Sequence, residues 1–162
     1  MTTTDATALP ASLAEYLAGP DGAVQRIRVG AYAWCEQDDS VLLTRISPGS
    51  PGAGEWTLPG GGLDFGEDPA AGAIREVREE TGYDPELAAL LGILSYVLEP
   101  AETISGHRVH SIQVVYRATI VSGELRDELE GSTDRAAWVP FPELDALPSV
   151  KLVAFARRAA GR

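Results

Sequence analysis

Glu67, Glu76, Glu79 and Glu80 fall within 14 consecutive residues. Carboxylates at that density can hold a cation or take a proton. On a helix of about 3.6 residues per turn, Glu76, Glu79 and Glu80 are related as i, i+3 and i+4 and project from one face. Like charges so placed repel by roughly 0.2–0.5 kcal/mol per pair, and the fold gains nothing from that. A bound divalent cation would remove the repulsion. Carboxylate oxygens suit a hard ion, Mg²⁺ or Mn²⁺. His107 and His110 are distant in sequence, and a single cysteine is too few for a zinc site.

The flanking residues say how such a face is positioned. Gly60-Gly61-Gly62 precede it, and glycine lets backbone approach a ligand closely. The pattern predicts a helix from near Glu67, with Pro69 in its first turn and Gly82 as its C-terminal cap, followed by Asp84-Pro85. Ala70, Ala73, Ile74 and Val77 fall on a separate arc that can pack into a core. Gly72 costs about 1 kcal/mol against alanine in a helix interior; room for a neighbouring loop or ligand, and simple drift, both remain open.

The spacing from Gly61 through Glu67 to Arg75-Glu76-Val77-Arg78-Glu79-Glu80-Thr81-Gly82-Tyr83 resembles the signature of the Nudix hydrolases. Every specified position matches except the last, where Tyr83 replaces an aliphatic residue. Trp56-Thr57-Leu58-Pro59-Gly60 is similar to the family's lead-in. The resemblance implies an α/β/α sandwich with a central mixed β-sheet. It also implies hydrolysis of a phosphoanhydride in a nucleoside diphosphate linked to another moiety (a nucleotide sugar or ADP-ribose type) or in a nucleoside triphosphate. Glu76, Glu79 and Glu80 match the family's metal-binding glutamates, with Glu67 a further ligand and Gly61 contributing backbone. Arg75 matches the residue that holds a glutamate in place; Arg75 and Glu79 are i, i+4, so that pairing is available. Such a metal neutralises phosphate charge and lowers the pKa of a bound water.

The general base stays open between Glu79 and Glu80 and the later acids Glu128, Glu130 and Asp134; Arg135 follows Asp134 where related chains often carry an acid. Arg45 sits where related sequences often place a basic residue that reaches phosphate, and arginine suits that geometry. Gly60 joins Gly61 and Arg45 as expected substrate contacts. Trp34 and Trp56 are read as core, and His110 as a hydrogen-bonded core histidine.

Composition narrows the rest. At 162 residues, with 44% hydrophobic and 23% charged residues, a single domain is expected. A net charge of −11 opposes nucleic acid and anionic membranes as partners. No apolar run spans a bilayer, no secretory signal is read at the N-terminus, and Cys35 stands alone, which suits the cytoplasm. A small nucleotide is the expected partner, and a homodimer is left open.

Residues 1–23 are expected to be a flexible segment, with one turn of helix at Leu13, Tyr16 and Leu17, and residues 24–162 the single domain. Strands are expected at 26–35 and 41–45, about a hairpin, then at 87–98, 108–121 and 136–139, with a closing helix at 148–158. On the first strand Ile27, Val29, Ala31, Ala33 and Cys35 share a side; on 108–121 the shared face is His110, Ile112, Val114, Tyr116, Ala118 and Ile120. Competing readings are a non-catalytic Nudix-like nucleotide-sensing module and a calcium-binding scaffold.

Overall fold

The computed structural model describes residues 18–162. The expected turn of helix at Leu13, Tyr16 and Leu17 lies outside them. The chain divides into two compact units, one comprising residues up to Arg28 and Tyr96–Ser111, the other Val29–Ser95 and Ile112–Arg162.

In the smaller unit, Ala18 and Val24 bridge across a turn. Arg108 ties this unit together: its guanidinium donates to Asp21 (Nη1–Oδ1 3.0 Å) and to Glu99 (Nε–Oε2 3.0 Å). The expected loop from Pro100 to Gly106 opens with a 3₁₀ turn, Pro100–Glu102.

The larger unit is built on a mixed sheet. The strands of the chain are β1 (Gln25–Gln37), β2 (Ser40–Ile46), β3 (Trp56–Thr57), β4 (Gly60–Gly62), β5 (Tyr83–Leu98), β6 (Arg108–Gly123) and β7 (Thr133–Pro140), of which β1, β5 and β6 include residues of the smaller unit. The order is β3-β2-β1-β6-β5, with β4 also paired to β1 and β7 to β2. Asp38 and Asp39, at φ +48° and +55°, form the two-residue connection between β1 and β2, a geometry that matches the twist of a hairpin.

Helix α1 (Pro69–Thr81) covers one face of the sheet, and helix α2 (Lys151–Ala159) the other. Val77 of α1 packs with Ala33, Cys35, Leu42 and Ala118. Leu152, Val153 and Ala156 of α2 pack with Trp34, Leu43 and Val115. Layering a sheet between helices buries both of its faces. That explains the first of two departures from expectation. On β1, Ala31, Ala33 and Cys35 are buried as a set, but so are Tyr32 and Trp34 on the opposite side, while Ile27 is exposed. On β6, the residues most withdrawn from solvent before the strand changes phase are Ser111, Gln113 and Val115, not His110, Ile112, Val114 and Tyr116. His110 is only half-buried, so the reading of a core histidine is corrected. Trp34 and Trp56 are core residues, as expected.

Among the described residues, no helix is long and apolar enough to cross a membrane.

Candidate active site

The acids are positioned by the local rules of a helix start and stop. Asp68 caps α1: its side chain accepts from the N–H groups of Ala70 (3.0 Å) and Ala71 (3.1 Å). Pro69 opens the helix, where a missing N–H costs nothing. Gly82, at φ +74°, closes it in the left-handed conformation. Gly72 faces the preceding loop: a Cβ there would strike the Leu63 side chain and stand 3.2 Å from the Glu67 carboxyl. The glycine thus makes room for the loop that carries Glu67.

The three helix acids share a side but not an environment. Glu80 is 1% exposed. Its Oε2 accepts from the Gly60 N–H at 2.9 Å, and the Thr44 hydroxyl lies 3.4 Å from the same oxygen. The Ser132 hydroxyl is 3.5 Å from its Oε1. Burial, aided by the charges of Glu76 and Glu128, pushes its carboxyl up to about 8 against the opposing effect of the Gly60 N–H. Glu76 is half-buried against Gly61, where a Cβ would come within 2.7 Å of its Oε1. Desolvation also raises its pKa, against the pull of Arg75. Glu79 opens to solvent.

Arg75 links the cluster. Its Nε donates to Glu67 Oε1 (2.7 Å) and its Nη2 to Glu67 Oε2 (2.9 Å). Its Nη1 donates to Glu76 Oε1 (2.9 Å) and Glu79 Oε2 (3.1 Å), so the i, i+4 pairing forms. Arg75 holds the Glu67 carboxyl well down, at about 2. Among the described residues, no three His, Cys, Asp or Glu side chains converge on a single point as a ready-made metal centre. The guanidinium balances three of the carboxylates, and Glu80 turns toward Gly60. The donors still fit a hard divalent cation: they are carboxylates beside a close backbone approach at Gly61, with no imidazole or thiol among them.

The later acids separate. Glu128 accepts from the Thr133 hydroxyl at 3.2 Å, and its charge is felt by both Glu76 and Glu80. Asp134 is engaged by Arg45 through two parallel bonds, Nε–Oδ1 at 2.8 Å and Nη2–Oδ2 at 3.0 Å. That pairing holds the Asp134 carboxyl below its ordinary range. An acid so held is a poor base. The sheet register sets the pair by bringing Arg45 opposite Arg135, beside Asp134. The Ser132 and Thr44 hydroxyls near Glu80 were not foreseen, since each arrives from a separate strand or loop.

A family model, the NUDIX domain, matches residues 24–158. The chain belongs to the Nudix family. It is 32% identical over 115 residues to an ADP-ribose pyrophosphatase of Methanocaldococcus jannaschii, an alignment covering 71% of this chain and 61% of that protein. The chain therefore spans less than two thirds of that curated relative. The fold matches a Nudix hydrolase of Nitrosomonas europaea with TM-score 0.70 and 27% identity, covering 84% and 89% of the two chains. It matches a MutT Nudix hydrolase of Burkholderia pseudomallei with TM-score 0.64 and 33% identity, covering 83% and 95%. Nudix hydrolases generally use divalent metals.

Proposed function

We propose that this Nudix chain hydrolyses a phosphoanhydride bond in a nucleoside diphosphate linked to another moiety, of the ADP-ribose or nucleotide-sugar type, or in a nucleoside triphosphate, with Mg²⁺ or Mn²⁺. The observation that carries the reading is the set Glu76, Glu79 and Glu80 on one helix, with Glu76 against the Gly61 backbone, Glu80 buried on the Gly60 N–H and Glu79 open to solvent. Glu76, Glu79 and Glu80, with Glu67 and the Gly61 backbone, would hold the ion. When bound, it supplies neutralising charge to phosphate and acidity to water.

The chain's own residues do the rest. Arg75 fixes Glu67, Glu76 and Glu79 relative to one another. Gly61 would let a diphosphate approach the backbone, whereas Gly60 is buried and spends its N–H on Glu80. A water oxygen bonds to phosphorus as the bridging P–O bond breaks. The water's proton passes to a carboxylate, for which Glu79 is placed by its exposure, and the other phosphate departs with the bridging oxygen. Arg45 gives its Nε and Nη2 to Asp134, so only its Nη1 edge would meet a phosphate. Cys35, the single cysteine, is a buried free thiol, which suits the cytoplasm.

A panel of NDP-linked compounds and (d)NTPs, incubated with Mg²⁺ and resolved into products, tests the reading. Cleavage of at least one into two phosphate-bearing products is expected. No cleavage of any, with either metal, contradicts it.

A further inference from the structure

The acids address the phosphate half of the proposed substrate, and its other half calls for a surface of different chemistry. Two large apolar side chains are the most exposed among the described residues, Phe65 at 108% and Leu129 at 94%. Both stand on loops that carry acids of the site. Phe65 is two residues before Glu67, and Leu129 follows Glu128, whose charge reaches Glu76 and Glu80.

Exposed apolar residues scattered singly need no explanation. Phe65 differs in how firmly it is held. The Glu67 N–H donates to the Asp64 carbonyl (3.0 Å), closing a turn with Phe65 and Gly66 at its tip. Gly66, at φ +82°, supplies the left-handed residue that a type II turn requires at its third position. The Asp64 N–H donates back to Glu67 Oε2 at 3.0 Å. Glu67 is in turn gripped by two Arg75 nitrogens. On the other side of the turn, the Leu63 N–H donates to the Val29 carbonyl (3.0 Å), and the Leu63 side chain packs over Gly72. The turn that presents Phe65 is thus fastened to the guanidinium that fastens Glu76 and Glu79.

We infer that Phe65 is a specificity-determining residue that stacks on the nucleobase of the substrate. This inference rests on the proposed hydrolase reading for the position of the phosphates. A phenyl ring on a held turn presents a large apolar face at little ordering cost, and a nucleobase has a π face to meet it. The surrounding carboxylates repel further anionic groups and leave a flat, uncharged surface as the complementary chemistry.

The test is equilibrium binding of AMP and of ribose 5-phosphate with Mg²⁺ to wild type, Phe65→Ala and Phe65→Trp, alongside KM and kcat on whichever nucleotide is turned over. Phe65 is fully exposed, so its replacement is tolerated by the fold. Base stacking of about 1–3 kcal/mol corresponds to at least about 5-fold in affinity. The expected result is AMP binding weakened by at least about 5-fold in Phe65→Ala and retained in Phe65→Trp. Ribose 5-phosphate should bind the three proteins alike, and KM should rise more than kcat falls. Equal AMP binding by wild type and Phe65→Ala overturns the inference, as does an equal loss for ribose 5-phosphate or no AMP binding by wild type. Phe65-dependent AMP binding by a protein that cleaves no phosphoanhydride would leave the inference standing and remove the hydrolase reading.

Discussion

Helices α1 and α2 cover opposite faces of one sheet, and they are built differently. The inward side of α2 is Leu152, Val153 and Ala156, packed on Trp34 and Val115. The inward side of α1 is Gly72, Ala73, Val77, Thr81 and the carboxylate of Glu80. One helix excludes water with aliphatic bulk. The other buries small residues and an ionisable group whose desolvation opposes its charged form. The difference teaches where stability and chemistry divide: α2 holds the sheet, whereas α1 gives up part of that contribution to keep acids close to glycine backbone.

The largest effect expected from this division is on turnover. Glu79→Gln should lower kcat by about 10²–10⁴-fold, the range for losing a proton acceptor, and Glu80→Gln should also remove most turnover by removing a group that would hold the ion, with circular dichroism unchanged in both. Full activity in both would erase the distinction between the helices.

Stability should show the reverse weighting. Leu152→Ala removes a side chain that is 1% exposed and should cost about 2–5 kcal/mol. Val77→Ala on α1 should cost less, about 1.6 kcal/mol from two buried methylenes at about 0.8 each. Chemical denaturation of the metal-free protein measures both, and a larger loss at Val77 would invert the comparison.

A third effect sharpens it through pH. Burial raises the Glu80 carboxyl from its ordinary 4.5 to about 8. The fold therefore favours the neutral acid, and this contribution is fully present below the ordinary value. It is lost as pH rises through about 8, so the metal-free protein should lose stability across that window. Glu76, also raised, acts in the same direction. Glu80→Gln should flatten much of the decline and melt several degrees above wild type at pH 8–9. A decline of the same size in both proteins would show that Glu80 is charged without cost.

The features of α1 were legible because each follows a local rule. The spacing of the acids, Pro69 at the start, Gly82 at the end and the Arg75–Glu79 pair are all set within a few residues along the chain. What the sequence could not show was depth. Helical geometry groups Glu76, Glu79 and Glu80, but the partners that draw Glu80 inward come from Gly60, Thr44 and Ser132. Sheet faces were harder to read for the same reason. Alternation on β6 runs in the phase opposite to the one its apolar residues suggest, with Ser111 and Gln113 withdrawn along with Val115, so polarity does not mark the outside. The Arg45–Asp134 pair depends on the register between β2 and β7, which no pattern within either strand contains.

The most direct test is Mn²⁺ binding followed by electron paramagnetic resonance in wild type and in Glu76→Gln, Glu79→Gln and Glu80→Gln, each verified as folded. If these side chains hold the ion, each replacement should weaken binding by at least tenfold and remove turnover with it. Mn²⁺ bound with wild-type affinity by all three would place the ion elsewhere and contradict the account.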